Sequence, residues 1–232
     1  MKGEQIVRWR MILVALICFG IAILAHAVVP SQHNPFKPPD LTEPLGLATY
    51  DKLTHLKYNP IQCERKLREA GIEFVAQAPD SPSEKCALEE TYILRKSLTP
   101  YTAAPLRMTC HQMAALYMWE RQVARPQAEK LFGSPLRQIE TYGSFSCRNI
   151  AGTSQRSQHA FANAIDITGF VLEDGRRISV REHWREKSDR GKYLARLHKG
   201  ACRLFSVTLG PDYDAAHADH FHFDMGSTET CK

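Results

Sequence analysis

The chain has 232 residues, of which 44% are hydrophobic and 24% are charged, and this composition is typical of one globular domain. Its formal net charge is +5, and no basic stripe is interleaved with aromatic residues. The composition therefore argues against nucleic acid as a partner.

The N-terminus combines a basic start with a long apolar run. Three basic residues precede fifteen uncharged ones, and Ala25-His26-Ala27 matches the small-x-small triplet of a signal cleavage site. Residues 1–27 are therefore expected to be a cleaved signal peptide or an uncleaved membrane anchor. Residues 11–29 approach the roughly 20 residues that span a bilayer. Either alternative places the protein in the periplasm or cell envelope, secreted or anchored to the inner membrane.

Six cysteines lie outside the apolar run, and none of them form a Cys-x-x-Cys pair. In an exported protein this even number predicts three disulfides rather than a cysteine metal site. Six cysteines allow fifteen connectivities. Pairing each cysteine with its neighbour in sequence predicts Cys63–Cys86, Cys110–Cys147 and Cys202–Cys231.

Residues 28–46 carry five of the thirteen prolines, which predicts a stiff, extended tether. The tether contains His33 and Asp40 at the same seven-residue spacing as His159 and Asp166 later in the chain. A polyproline conformation would separate the two tether side chains by about 20 Å, so this first pair is interpreted as accidental. The folded domain is expected to occupy residues 47–232.

Two helices are predicted in the first half of this domain. Asn59-Pro60 supplies a cap residue and a first-turn proline for one helix. Thr109 can cap a second helix, which Pro126 kinks or restarts and Gly133 ends. His111 lies in the first turn of this helix and is expected at the surface. The apolar face of the helix is predicted to consist of Met113, Leu116, Tyr117 and Val123.

The remaining segments are mostly strand-like. The stretch "IEFVA" predicts a short strand, and "CALEETYILRKS" favours a strand over a helix. After Gly133, the stretches "LRQIETYGSFSC", "NAIDITGFVL" and "RRISV" predict strands with a hairpin at Asp174-Gly175. Two short helices are predicted at "VREHWREK" and "GKYLARLHKG", and "HFHFDM" predicts a last strand. This order predicts an α+β fold with a mostly antiparallel sheet and helices on one side.

Two clusters of histidine and aspartate lie on or beside predicted strands. Asp166 would face a cleft while its apolar neighbours are buried, and His159 precedes it on a loop. In "HADHFHFD", His220 and His222 share a strand face. Three ligands and one open position define a catalytic zinc site, and His159, Asp166 and His222 can supply the ligands. Asp219 or His220 then remains to accept a proton. The spacing alone leaves ordinary exposed or packed histidines as an equal alternative.

Longer stretches resemble known families. "SQHAFANAIDI" looks like the Ser-x-His-x-x-Gly-x-Ala-x-Asp signature of the D-Ala-D-Ala carboxypeptidase and dipeptidase group of zinc peptidases. "DHFH" is similar to the closing motifs of those enzymes and their lysostaphin-like relatives. Together with "TCHQMAALYMW", "YGSFSCRNI" and "HADHFHFD", these stretches resemble the bacterial extensin-like C-terminal domain family from about Cys63 to Asp224.

The resemblance implies a disulfide-stabilised core of the D-Ala-D-Ala carboxypeptidase and lysostaphin-like type. It also implies a Zn²⁺ ion held by His159, Asp166 and His222, with Asp219 as general base, His220 as the second-shell or transition-state histidine and Arg148 near the scissile carbonyl. An ordinary surface arginine is an equal interpretation of Arg148. Two residues depart from the pattern: Ala162 replaces the motif's glycine, and Asp219 replaces the more common glutamate.

We therefore expect an exported zinc-dependent hydrolase that acts on peptide bonds of peptidoglycan, as a carboxypeptidase or an endopeptidase. Its partners would be the stem peptides or cross-links of the cell wall, with membrane anchoring through residues 11–29 as a further possibility. The alternative is a non-catalytic cell-wall-binding or structural module on the same fold. An interaction domain that is cross-linked by disulfides and holds no metal is a third hypothesis.

Overall fold

An N-terminal helix precedes two sheets and several packed helices in the computed structural model, which describes residues 2–83, 86–103 and 105–232. The helices are α1 (Lys2–Val28), α2 (Thr49–His55), α3 (Pro60–Glu69), α4 (Cys110–Trp119), α5 (Arg125–Phe132), α6 (Val180–His183) and α7 (Asp189–Ala201). The strands are β1 (Glu73–Gln77), β2 (Asp80–Ser83), β3 (Cys86–Leu88), β4 (Thr91–Lys96), β5 (Leu106–Met108), β6 (Leu136–Gly143), β7 (Ala164–Leu172), β8 (Arg177–Ser179), β9 (Val207–Leu209), β10 (Phe221–Asp224) and β11 (Thr230–Cys231).

The larger sheet has six strands, and β7 lies at its centre. Its order is β11–β9–β10–β7–β6, with β8 paired to the second half of β7. All of its strand pairs are antiparallel except β9 with β11, which is parallel. The predicted α+β class and mostly antiparallel sheet are therefore confirmed.

A smaller antiparallel sheet has the order β1–β4–β5, and β2 pairs with β3 beside it. The stretch "CALEETYILRKS" forms β3 and β4, as its sequence favoured. Tyr92 in β4 packs edge-on against Phe74 in β1, which contributes to the core on this side of the molecule.

Helix α4 is buried on every side. All ten of its residues are buried, so the predicted apolar face of Met113, Leu116 and Tyr117 is only part of what the helix packs. The Trp119 ring contacts Phe223 of the larger sheet, while α2 and α3 pack against other sides of the helix. His111 is 6% exposed, so the prediction of a surface position for it was wrong.

The ends of the predicted helices follow the cap and proline signals in part. Asn59 caps α3, because its side chain accepts a hydrogen bond from the Gln62 amide at 3.0 Å. Residues 120–124 form a π-helical segment between α4 and α5, and Pro126 lies in the first turn of α5. Gly133 then ends α5 with a positive φ of 63°. These features confirm the prediction that the helix restarts near Pro126 and ends at Gly133.

The proline-rich segment 28–46 lies against the domain over part of its length. Leu41 is 1% exposed and belongs to the hydrophobic core. The Lys52 ammonium group donates to the Ser31 carbonyl at 2.6 Å, which fixes the start of the segment. The segment predicted as an extended tether is therefore packed against the domain. One buried leucine and polar contacts hold it there.

Residues Gln5–Val28 form one helix that is long and apolar enough to cross a membrane, and its apolar stretch is not buried against the rest of the described chain. A signal sequence near the N-terminus can meet the same criteria of length and hydropathy as an anchor. The helix is therefore compatible with an envelope location, and both alternatives for residues 1–27 stay open.

Three disulfides link elements that are distant in sequence. Cys202–Cys231 joins α7 to β11, as predicted. The other two predicted pairs were wrong, because the bonds are Cys63–Cys110 and Cys86–Cys147. Helices α3 and α4 pack together and place the Cα atoms of the first pair 6.1 Å apart. Packing between elements, rather than closeness in sequence, decides which cysteines meet.

Candidate metal centre

The centre of the site is a cross-strand pair in the larger sheet. Antiparallel pairing of β7 with β10 places Asp166 directly opposite His222. Ile165 and Phe223, which neighbour this pair along the strands, are fully buried. Because side chains alternate between the two faces of a strand, the buried apolar residues hold Asp166 and His222 together on the other face.

His159 reaches the pair from a 3-10 turn, Gln158–Phe161. The Ser157 hydroxyl accepts a hydrogen bond from the His159 amide at 3.3 Å, which orients the turn. The turn ends at Ala162, whose φ is 53°. This left-handed conformation explains why the resembling motif has glycine there, and Ala162 adopts it at a cost of roughly 1 kcal/mol.

Three side-chain atoms converge at one point. His159 Nε2 lies 3.1 Å from both His222 Nδ1 and Asp166 Oδ1, and the last two atoms are 3.0 Å apart. All three residues are at most 8% exposed. The structure therefore brings together the three residues that the sequence predicted as ligands.

Hydrogen bonds on the far side of each ring determine which nitrogens carry protons. His159 Nδ1 lies 3.1 Å from the Ser144 carbonyl oxygen, and His222 Nε2 lies 2.8 Å from Asp224 Oδ2. Both of these oxygens accept hydrogen bonds, so each of these ring nitrogens is the protonated one. In the neutral rings the lone pairs of His159 Nε2 and His222 Nδ1 then point at each other and at a carboxylate.

This donor set fits a zinc ion. Zinc in proteins prefers imidazole nitrogen and carboxylate oxygen in tetrahedral geometry, in which neighbouring ligand atoms lie about 3.3 Å apart. The observed separations of 3.0 and 3.1 Å are close to this value. The carbonyl of Ser144 and the carboxylate of Asp224 supply the outer hydrogen bonds that usually orient metal-binding histidines.

The pKa shifts of His222 and Asp166 indicate that the centre favours positive charge. Burial opposes a charge on His222, but hydrogen bonds to Asp166 and Asp224 outweigh it and raise the pKa of His222 to about 9. Burial likewise disfavours ionisation of Asp166, but hydrogen bonds to both histidines hold the pKa of this carboxyl well below its usual range. Without a metal, a proton would occupy the position between these groups.

Asp219 and His220 form a second pair beside the centre. Asp219 Oδ1 accepts a hydrogen bond from His220 Nδ1 at 2.9 Å, while Oδ2 accepts from Tyr142 and Arg181 at 3.0 and 2.6 Å. The His220 hydrogen bond is the largest cause that lowers the pKa of Asp219, to about 2. His220 Nε2 lies 3.6 Å from Asp166 Oδ1. Asp219 is therefore linked to the centre through His220, whose other ring nitrogen lies near Asp166.

Arg148 lies in the loop after β6, not on the strand itself. Its side chain is exposed and forms no hydrogen bond or ion pair with a described residue. Its carbonyl accepts a hydrogen bond from the Ser157 amide at 3.2 Å, which places the backbone beside the turn that carries His159. The structure does not bring the Arg148 side chain into contact with the three predicted ligands.

Sequence reasoning missed several residues around the centre. Asp224 follows His222 by two residues on the same strand face, and this spacing could have revealed it. His217 Nδ1 lies 2.6 Å from Asp214 Oδ1, and the centre of the His217 ring lies 5.2 Å from the centre of the His220 ring. Their loop has no regular pattern, so no periodicity in the sequence marks this contact.

A comparison with curated proteins gives no match. A family model described as "Extensin-like protein C-terminus" matches residues 61–232, which include all the strands and every residue of the centre. The match covers well over half of the chain. The chain therefore belongs to the extensin-like protein C-terminus family.

Proposed function

We propose that this protein is an exported zinc-dependent hydrolase that cleaves peptide bonds of peptidoglycan. The observation that carries the proposal is the convergence of two imidazole lone pairs and one carboxylate oxygen within 3.1 Å of each other. Three such acceptors are stable together only around a cation. The peptidoglycan substrate comes from the resemblance to cell-wall peptidases, and the apolar N-terminal helix and three disulfides support export.

The roles of the ligand residues follow from their geometry. His159, Asp166 and His222 would hold the zinc ion. A bound zinc ion would supply Lewis acidity to a substrate carbonyl. Ser144 and Asp224 keep the two imidazoles in the tautomers that present lone pairs to the ion.

His220 is the residue placed to move a proton. Asp219 was expected to activate water, but a carboxylate with a pKa near 2 and three hydrogen-bond donors is a weak base. The same carboxylate accepts a hydrogen bond from His220 Nδ1, so this ring nitrogen carries the proton. The lone pair of His220 Nε2 is then directed towards Asp166. We therefore assign proton transfer between water and the leaving amine to His220, and its orientation to Asp219.

Arg148 keeps its proposed role at the substrate carbonyl, although it would have to swing in from the loop. Its exposed side chain has no partner among the described residues and its backbone is tied to the His159 turn. A guanidinium group that reaches the developing oxyanion would stabilise it electrostatically.

A cell-wall-binding module without turnover is the second candidate. One observation favours it: the Arg148 guanidinium group, which the hydrolase would need at the oxyanion, is exposed in the loop after β6 and forms no hydrogen bond or ion pair with the three predicted ligands. A module of this kind would bind zinc and peptidoglycan but would release no peptide.

The variant Asp219→Asn separates the two candidates. Its amide keeps the size of the side chain but removes the charge that orients His220, so we expect unchanged zinc content and a rate at least about 100-fold lower. The rate is measured as peptide released from purified sacculi by mass spectrometry, with Asp189→Asn on the surface of α7 as the matched control. If the unaltered protein holds zinc but releases nothing, the hydrolase proposal fails and the binding module stands.

A further inference from the structure

The most exposed apolar side chains of the domain are concentrated in one stretch of the chain. Phe36, Leu47, Tyr58 and Ile61 are between 79% and 86% exposed, whereas no other large apolar side chain described outside α1 is more than 62% exposed. Apolar side chains exposed singly are ordinary, but a group of them marks a surface that meets a partner. These four residues therefore need an explanation if they share one surface.

Two of the four lie beside the end of α1. The Lys37 ammonium group donates to the Val29 carbonyl at 2.8 Å, which places the neighbouring Phe36 close to the first residue after the helix. The Leu47 amide donates to His33 Nδ1 at 3.1 Å, which folds this leucine back onto the same short segment. Phe36 and Leu47 are therefore exposed where the chain leaves α1.

The other two lie across a shallow groove from this point. The groove is lined by Phe36 and the prolines around it, together with His55 and Gln62. Tyr58 ends the 3-10 turn that follows His55, and Ile61 precedes Gln62 at the start of α3. The four side chains thus surround one region of the domain. We call this set the apolar surface: Phe36, Leu47, Tyr58 and Ile61.

The connection between α1 and the domain has no slack. Lys37 holds the Val29 carbonyl, and the buried Lys52 donates to the carbonyl and the hydroxyl of Ser31 at 2.6 and 3.3 Å. Gln5–Val28 is long and apolar enough to cross a membrane, so in a bilayer its end would lie near the edge of the hydrocarbon. Because the domain is fixed to the chain directly after this end, the region around Val29 must face the lipid headgroups.

The chemistry of the region suits the boundary between lipid and water. Aromatic side chains are favoured at the headgroup level, and lysine stems lie along apolar surface with their ammonium groups in water. The Lys57 ammonium group lies 5.9 Å from the centre of the Tyr58 ring. The groove is lined by Lys37 and Lys52 and by one carboxylate, Asp51, so its charge is positive on balance. A positive surface is complementary to anionic headgroups.

We propose that α1 stays attached as a membrane anchor and that the apolar surface rests in the headgroup region of the same bilayer. A helix alone would let the domain turn freely above the membrane, whereas this second contact fixes which side of the domain faces the lipid. The inference goes beyond the proposed function, because the domain would be docked in this way whether or not the metal centre hydrolyses a substrate.

Photolabelling of the full-length protein in lipid nanodiscs that hold one chain each tests this inference. The discs contain phosphatidylethanolamine and phosphatidylglycerol, with a small fraction of lipid that carries a diazirine next to its headgroup. Peptide mapping by mass spectrometry should find adducts on the apolar surface at least about tenfold more often than at two exposed apolar residues of other loops. These internal controls are Ile150 and Tyr213. A disc with one chain excludes a second copy as the partner of the surface.

Charged variants test whether the four residues act as one surface. The double variant Leu47→Asp/Ile61→Asp should lower the adducts at the two aromatic positions at least about fivefold, because carboxylates resist transfer out of water and are repelled by anionic lipid. The matched control Ile150→Asp should leave these adducts unchanged, and both proteins should keep the circular dichroism of the unaltered domain. Adducts confined to α1, equal labelling of the control loops, or a purified chain that begins at Val28 would each overturn the inference.

Discussion

At the scale of single residues, the hydrogen bonds of the two imidazole rings define the centre. The N–H groups of the neutral rings point away from it, so no donor points towards the position between the three ligand atoms. The Ser144 carbonyl and the Asp224 carboxylate each accept a hydrogen bond from one imidazole, and Asp166 contributes a carboxylate between the two rings. The position between them therefore accepts a metal ion or a proton, but not both.

This competition predicts how zinc affinity depends on pH. Because the pKa of His222 is raised to about 9 in the metal-free centre, zinc must displace a proton at any lower pH. The zinc dissociation constant should therefore rise about tenfold for each unit of decrease between pH 8 and 6, measured against a competing chelator. Asp224→Asn should weaken zinc about 10–100-fold by removing the outer hydrogen bond. A zinc affinity that does not change over this pH range would contradict the competition.

The sequence was informative about some of these residues and silent about others. Period-two alternation and the resembling motifs marked Asp166 and His222, because strand geometry puts alternate residues on one face. Arg181 and Tyr142 come from a helix and a strand far apart in sequence, and they meet only at Asp219. No local pattern encodes such a meeting.

At the scale of elements, the junction between α4 and α5 is built around one buried carboxyl group. Glu120 starts the π-helical segment and is fully buried. Its side chain accepts hydrogen bonds from Ser97 and Tyr101 at 2.6 Å and from the Thr99 amide at 2.9 Å. These bonds fix the loop between β4 and β5, which also pairs with β6 through Tyr101.

Glu120 should make the domain less stable as pH rises. Burial, which outweighs the hydrogen bonds, raises the pKa of Glu120 from 4.5 to about 7. The folded state then holds a proton that the unfolded chain has lost, so its stabilising effect is complete below pH 4.5 and is lost as pH rises through 7. The loss should be up to about 3 kcal/mol.

Denaturant unfolding between pH 5 and 8 measures this effect. Glu120→Gln should flatten the decline in the free energy of unfolding, whereas Glu129→Gln on the exposed side of α5 should preserve it. An equal decline in all three proteins would contradict the assignment.

Elements with strong local signals were predictable, and those set by packing were not. The cap at Asn59 and the stop at Gly133 are chemical signals that act within one turn. The complete burial of α4 depends on helices and strands from elsewhere in the chain, so a pattern within α4 gave only one face. The π-helical segment has no sequence signal other than the proline after it.

At the scale of the whole molecule, the disulfides tie together parts that are distant in sequence. Cys86–Cys147 links β3 to the loop that precedes the His159 turn, and the two cysteines are 61 positions apart in the chain. Cys63–Cys110 spans 47 positions and Cys202–Cys231 spans 29. Only the last pair was predicted correctly, because the pairing of the other four cysteines depends on how helices and strands pack rather than on sequence distance.

Removal of one of these bonds should lower stability substantially. The double variant Cys86→Ser/Cys147→Ser frees a loop of 61 residues, for which chain entropy predicts a loss of about 4 kcal/mol in the free energy of unfolding. Cys18→Ser is the control, since Cys18 is exposed in α1 and forms no disulfide. Peptide mapping without reductant should find the bond between Cys86 and Cys147, and a fragment that joins Cys63 to Cys86 would contradict the fold.

The most direct test of the account is the zinc content of the purified protein. Elemental analysis after dialysis should find one zinc ion per chain in the unaltered protein and in His55→Ala, an exposed histidine remote from the centre in sequence. His159→Ala and His222→Gln should each remove the ion while the domain stays folded by circular dichroism. A protein that holds no zinc, or that holds it equally well without these two imidazoles, would show that the three converging atoms are not a metal site.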